Sequence, residues 1–303
     1  MMISHWKKII GLSVVLTLGS WTNAFAQASP GVCSNSGSAS DPITRTDANN
    51  VCWTEPDVYK IWIYEMGLCA ATPSLSTFQT SCVPVSTSAA GGLLTVASGT
   101  NTPVPGTFTR PPNGSYTHGY IIMKSEFRVT TTKTFDGNMT GKTGTGTTCW
   151  SLNGMIRSSG GNGTYDSTTP SVITNGVPAT YMAECGTAGA AAPAEITVVQ
   201  DTFSGSAVTS TADSTGSATT SGATITAYLT DSSFTQLDGT TVTSNDAERL
   251  VGFVQFPSAV TLTDSSSTFT VSFKVSEGTT VLGGANHLTT FESGPFVTNI
   301  TVN

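Results

Sequence analysis

Apolar and polar residues alternate along much of this chain with a period of two, the spacing that sets one face of a strand against a core and the other against water. The clearest stretch is "STFTVSFKVS", where Phe269, Val271, Phe273 and Val275 fall on one side and Thr268, Thr270, Ser272 and Lys274 on the other. It predicts a half-buried antiparallel strand. In "VYKIWIYEMGLC", Val58, Lys60, Trp62, Tyr64 and Met66 alternate with Tyr59, Ile61, Ile63 and Glu65. Both faces carry bulky groups of the β-branched and aromatic kinds that fill strands, which predicts a central strand covered on both sides. Further strands are predicted at "GLLTVAS", "GTFTR", "GYIIMKSEFRVT", "AEITVVQ", "ATITAYLT", "RLVGFVQF" and "AVTLTD", separated by Gly, Pro, Asn and Ser. No segment carries an apolar stripe of helical period. The pattern therefore predicts an all-β fold, an antiparallel β-sandwich built as one large or two smaller β domains.

The first 26 residues depart from this pattern. Lys7 and Lys8 precede an apolar run from Ile9 to Leu18, and Ala24-Phe25-Ala26 closes it. This is the order of a secretory signal peptide, with the mature chain beginning at Gln27. Residues 27–50 form a small, polar leader without the apolar groups to enter a core. A β domain carrying the disulfides is expected over 51–186 and a β-sandwich region over 194–303, with any break in the Gly, Thr and Ala-rich stretch 187–193. A second low-complexity stretch, 208–224, is too polar to build a core and reads as an exposed loop or an O-glycosylated segment. No later run approaches the ~20 apolar residues of a membrane helix, so no membrane span is expected in the mature chain.

Composition narrows the partners. Losing Lys7 and Lys8 would take the formal net charge from -7 to -9, and Lys and Arg are scarce throughout. Such a chain has no electrostatic footprint for nucleic acid. All six cysteines follow the apolar leader. Their even number in an exported chain argues for disulfides, and pairing of neighbours gives Cys33–Cys52, Cys69–Cys82 and Cys149–Cys185. No CxxC pair or His-x-x-x-His spacing suggests a metal.

Catalytic chemistry has few candidates. The mature chain holds only His118 and His287, each in a predicted turn, and no nucleophile elbow or zinc-protease motif accompanies them. Glu65, Glu126 and Glu184 are the carboxylates that could serve a glycoside hydrolase, a reaction whose paired acids leave no local signature. Trp53, Trp62, Trp150 and Tyr165 could stack on sugar rings in a carbohydrate-binding or adhesive module. Asp231, Asp238, Asp246 and Glu248 gather in one acidic loop as candidate calcium ligands, although their spacing is not that of a twelve-residue calcium loop. No other cofactor is expected, and no enzyme activity. Asn113, Asn138, Asn162 and Asn299 each open an Asn-x-Ser/Thr sequon, so surface glycans could be attached there.

The last eight residues, 296 to 303, read as one strand, with Phe296, Thr298, Ile300 and Val302 on one face. Such a strand either pairs within its own sheet, for instance beside "STFTVSFKVS", or is donated to a neighbouring molecule. The signal peptide, disulfides, Thr-rich alternating strands and lack of catalytic motifs together resemble exported fibre subunits such as donor-strand-assembled pilins. The resemblance implies an extracellular, secreted or cell-surface subunit that forms a homo-oligomer, a helical or head-to-tail polymer. Since the mature N-terminal stretch has no alternating apolar run, the donor would be 296–303, with Phe296, Ile300 and Val302 filling the acceptor groove. Head-to-tail donation does not close on itself and so builds a filament.

Overall fold

The computed structural model describes residues 33, 51–97, 103–157, 173–174, 177–178, 182–200, 214–220, 223–238, 247–266, 269–284, 287–294 and 296–302. The expected signal peptide, the leader apart from Cys33, and the calls on Asn162, Tyr165 and Asp246 lie outside these residues. Most of the described chain is strand. First come β1 (Val51–Thr54), β2 (Val58–Cys69), β3 (Cys82–Ala97), β4 (Thr107–Phe108) and β5 (Gly114–Thr130), with one helical turn, α1 (Phe78–Ser81), between β2 and β3. Next are β6 (Thr132–Thr140), β7 (Thr145–Ser151), β8 (Gly154–Arg157), β9 (Ile173–Thr174), β10 (Val177–Pro178), β11 (Ala183–Gly186) and β12 (Ile196–Val199). The rest comprises β13 (Thr215–Thr220), β14 (Ala223–Thr230), β15 (Arg249–Leu262), β16 (Phe269–Lys274), β17 (Thr279–Gly284), β18 (His287–Ser293) and β19 (Val297–Val302).

These strands make a β-sandwich. Its larger sheet has nine strands, ordered β13-β14-β15-β5-β2-β3-β4, with β12 and β8 added beside the second half of β5. The smaller has six, ordered β1-β17-β18-β6-β7-β11. Both sheets mix strands from the expected 51–186 and 194–303 regions: β14 and β15 reach β5, while β17 inserts between β1 and β18. The two regions therefore share their sheets. Pairing is mostly antiparallel, but two ladders correct the antiparallel expectation. Strand β12 runs parallel to β8, and β18 meets β6 in parallel at His287 and Thr140. Long connections permit this, because a strand that returns after a dozen or more residues can enter in either direction.

The main core lies on one face of the nine-stranded sheet. Tyr59, Ile61 and Ile63 of β2, Phe127 and Val129 of β5, Ile196 and Val198 of β12 and Leu250 of β15 are all buried in it. The period of two is visible here, since the alternate residues of β2, Lys60, Trp62 and Tyr64, stay half-exposed. Strand β2 is central, as its pattern predicts, but its second face is covered only toward one end. There Phe78 of α1 packs edge-on against Tyr120, Phe234 and Phe253, with ring centroids 5.4 to 5.6 Å apart. A smaller core holds Phe135, Met139, Val281, Leu288 and Phe291 with four of the cysteines.

Three disulfides staple the sandwich: Cys33–Cys52, Cys69–Cys82 and Cys149–Cys185. The last two each join residues directly opposite one another, across β2 and β3 and across β7 and β11. Cys33 also donates its backbone N–H to the Trp53 carbonyl at 2.7 Å, which ties the leader to β1. Burying a thiol pair between laddered strands fixes their register, because a one-residue slip would turn both side chains to the opposite face. The low-complexity stretch 208–224 is not all loop: residues 215–220 form β13 as an edge strand on β14. Backbone hydrogen bonds make an edge strand without apolar residues, which is why composition did not show it.

Candidate assembly ribbon and charged sheet face

Strands β16 and β17 follow one another, as do β18 and β19, and together they form a long two-stranded hairpin. In one half, β17 pairs with β18 from Thr279↔Ser293 to Gly284↔His287. In the other, β16 pairs with β19 from Lys274↔Val297 to Phe269↔Val302. Residues 275–278 separate β16 from β17, and between the halves the Gly294 N–H bonds the Gly278 carbonyl at 2.8 Å. The β17/β18 half is flanked by β1 and β6 within the six-stranded sheet. The β16/β19 half stands as a sheet of its own, and among the described residues neither outer edge has a strand partner.

The expected assembly residues fall on this ribbon. The strand begins at Val297, so Phe296 lies just before it. Phe296 is half-buried, its ring 5.9 Å from Tyr59 and 5.9 Å from Phe273, while Tyr59 in turn lies 6.0 Å from Phe127. This row of four rings fastens the ribbon's base to the main core. Tyr59 adds a hydrogen bond between its hydroxyl and Ser293 Oγ at 2.7 Å, and burial raises its ionisation far above the ordinary range. The register sets Thr298 opposite Phe273, Ile300 opposite Val271 and Val302 opposite Phe269. Within the single chain, β19 thus pairs with the segment the sequence named as its intramolecular neighbour.

The half-exposed face of β2 carries a second arrangement. Lys60 lies directly opposite Arg128, and Lys124 opposite Arg249, placements that would repel if left alone. Glu195 answers the first pair, bonding Lys60 Nζ and, at 3.1 Å, Arg128. Glu126 bonds Lys124 and, at 3.1 Å, Arg128. The result is a chain of alternating charge, Lys60–Glu195–Arg128–Glu126–Lys124, around the Trp62 ring, with Arg128 4.7 Å and Lys124 5.4 Å from its centroid. Arg249 lies 3.7 Å over the Tyr64 ring. Gly91 makes that ring's position available, for its φ of 79° and missing Cβ let Tyr64 sit against the β3 bulge. Glu195 is partly buried, which works against its charge, yet Lys60 and Arg128 hold its carboxyl below the usual range.

The candidate catalytic groups are not brought together. Glu65 accepts the Tyr120 hydroxyl at 2.6 Å, and burial together with that carboxylate pushes the phenol up. Glu126 belongs to the charge ladder. Burial opposes ionisation of Glu184, but hydrogen bonds from Thr143 Oγ1 and N–H and from the Gly144 and Cys185 N–H groups outweigh it and lower its pKa. His118 is buried within β5 rather than in a turn, beside Thr117 Oγ1 at 2.9 Å, and burial lowers its pKa. His287 opens β18 rather than lying in a turn. Asp231 is occupied in accepting the Ser233 and Thr235 N–H groups at 2.8 and 2.9 Å, and Glu248 is exposed. Asp238 keeps a partner of its own, and among the described residues no group of three His, Cys, Asp or Glu could hold a metal ion.

The remaining candidates separate by exposure. Trp53 and Trp150 are buried, leaving Trp62 as the described tryptophan open to solvent. Asn113 exchanges hydrogen bonds with Arg110 and Asp264 on the surface. Asn138 is exposed at the irregularity where β6 leaves β7, between Thr134 and Met139. Asn299 lies in β19 opposite Ser272. Sequence reasoning missed Glu195, which reaches Lys60 across 135 residues of chain, a distance at which no local pattern signals contact. No protein-family model, curated protein or solved structure matches the chain.

Among the described residues no helix is long and apolar enough to cross a membrane. Three disulfides fit a chain that folds in an oxidising compartment.

Proposed function

We propose that the protein is an exported structural subunit, not an enzyme, which polymerises head to tail into an extracellular filament or surface assembly by β-strand addition. The β16/β19 ribbon carries this reading. A two-stranded sheet is marginal on its own and gains stability when a third strand is added. Its outer edges, which pair with no strand among the described residues, would be a template for such a strand, and main-chain hydrogen bonds would then supply the affinity. The disulfides support the same reading, since they would hold each subunit folded outside the cell. Sequon glycans, at the exposed Asn138 in particular, would decorate such a surface.

The test is electron microscopy of the purified mature chain beside a variant ending at Gly294. Regular filaments from the mature chain, and none from a variant whose disulfides and near-ultraviolet circular dichroism are intact, are expected. Monomers from the full chain at every concentration would refute the reading.

A second reading, a carbohydrate-binding or adhesive module, draws on the Trp62 face. There a half-exposed indole sits beside Leu93, which is 48% exposed, and cations outnumber carboxylates in the charge ladder. An acidic polysaccharide would suit both features. Retention on a column of such a polysaccharide, abolished by Trp62→Ala, would favour it; elution of the two proteins together would remove it.

A further inference from the structure

Resting on the second reading, in which the Trp62 face binds an acidic polysaccharide, we propose that Arg249 and Lys124 form a carboxylate-binding site on that face. The ligand is a polysaccharide of uronic-acid units, held through a carboxylate, with the adjoining sugar ring laid on Trp62.

The chain is acidic, with a formal net charge of -7. Yet four of its twelve Lys and Arg residues stand on this one sheet face, as two like-charge pairs set directly opposite across neighbouring strands: Lys60 with Arg128, and Lys124 with Arg249. Like charges so placed destabilise a sheet. The chain answers the two pairs unequally. Glu195 bonds both members of the first. In the second, Glu126 bonds Lys124 but turns its other oxygen to Arg128. Glu65 is held by the Tyr120 hydroxyl, and Glu248 gives Arg249 its backbone carbonyl. Among the described residues Arg249 thus has no ion pair.

Arg249 is also held ready for an anion. Its guanidinium lies 3.7 Å over the Tyr64 ring, and that ring is backed by Gly91, where a Cβ would come within 3.0 Å of it. A flat cation stacked on a fixed ring has lost much of its rotamer freedom before a ligand arrives. Arg249 Nη1 is tied to the Glu248 carbonyl at 3.2 Å, which leaves Nε and Nη2 along one edge without a described partner. That edge offers two parallel N–H donors, the fork that a carboxylate's two oxygens match. A carboxylate bound there would also reach Lys124 on the adjoining strand, and so stand between the second pair as Glu195 stands between the first. The face is open to solvent, since the Lys124 side chain is 42% exposed and that of Arg128 37%. Trp62, two residues from Tyr64 on β2 and directly opposite the exposed Leu93, gives the sugar ring next to the carboxylate an apolar floor.

Three immobilised probes test this: polygalacturonate, its methyl ester and dextran sulfate. The mature chain is expected to bind the first well and the other two at least about tenfold more weakly, because the ester has no charge and the sulfate no planar pair of oxygens. Arg249→Lys keeps the charge and loses the two-donor edge. It is expected to weaken binding to polygalacturonate by about tenfold, the equivalent of one charge-assisted hydrogen bond, and Lys124→Gln by a similar factor. Lys142→Ala removes one cation from an exposed turn and is expected to bind as the mature chain does. If Arg249→Lys does not fold by circular dichroism, Arg249→Gln takes its place. Equal binding by Arg249→Lys and Lys142→Ala, or full binding by Lys124→Gln, would overturn the site and leave the second reading standing. Dextran sulfate bound as tightly as polygalacturonate would overturn the uronic acid. A mature chain that binds none of the three would remove the second reading itself.

Discussion

The two halves of the long hairpin have strands of six or seven residues, yet they occupy opposite situations. In the β17/β18 half each strand has a second neighbour, and Val281, Leu288 and Phe291 are sealed in the smaller core. In the β16/β19 half the ladder has two strands, held to the rest by Phe273 and the half-buried Phe296 on the main core and by the approach of β19 to β15. Threonine alternating with apolar residues serves both. What separates them is how many of their edges and faces the rest of the chain covers, and that is a property of topology. One sequence pattern can thus supply strands of a larger sheet and strands of a two-stranded ribbon.

The largest expected effect comes from opening the sealed half. Phe291→Ala should cost about 3–5 kcal/mol, the range for deleting a buried aromatic ring, and urea titration would show it as a lower midpoint at unchanged slope. Removing the Cys33–Cys52 bridge, which holds the flanking β1, should cost about 3 kcal/mol for a loop of its size. Amide exchange should then accelerate in β17 while the ribbon changes little.

In the open half the same kind of substitution should matter less. Phe296→Ala is expected to cost about 1–2 kcal/mol, because a half-buried ring loses only part of its transfer energy. Hydrogen exchange should quicken in β16 and β19 alone; equal quickening in β17 and β18 would mean that the hairpin responds as one unit and would break the comparison. The smallest effect is a pH slope. Burial raises the Glu292 carboxyl in β18 to about 7. The folded state then holds this proton more tightly than the unfolded chain, so stability should fall as pH rises from the ordinary carboxylate range to about 7 and level off above it. Glu292→Gln should flatten that slope between pH 5 and 8, measured as the shift in urea midpoint. Glu184 and Glu195 have the opposite sign: their lowered pKa values stabilise the fold above the carboxylate range and lose effect in acid.

Alternation showed the strands whose two faces differ sharply. "ATITAYLT" is β14 from end to end, and "STFTVSFKVS" contains β16. It did not show β6 and β7, where glycine and threonine fill positions that elsewhere are Val or Ile, so Phe135 and Met139 stand as isolated apolar residues. The β17/β18 hairpin was hidden because "GGANHL" looks like turn material, and tertiary pairing extends β18 back to His287. At the charged face, Glu126 and Lys124 are two apart on one strand and their pairing follows from strand geometry. Glu65 does otherwise and accepts a phenol, because the β2 bulge between Ile63 and Glu65 carries it out of step with Lys60.

The placement of the cysteines has a mechanical consequence. All six lie before residue 186, and the hairpin that would carry the load between subunits has none. Under tension the stapled strands would form a body that cannot lengthen much, while the β16/β19 half would peel apart one hydrogen bond at a time. Fully drawn out, β19 (Val297–Val302) would span on the order of 20 Å at about 3.3 Å per residue. A filament built this way would stretch at its joints and spare its subunits, each one a rigid bead with an extensible spring beside it.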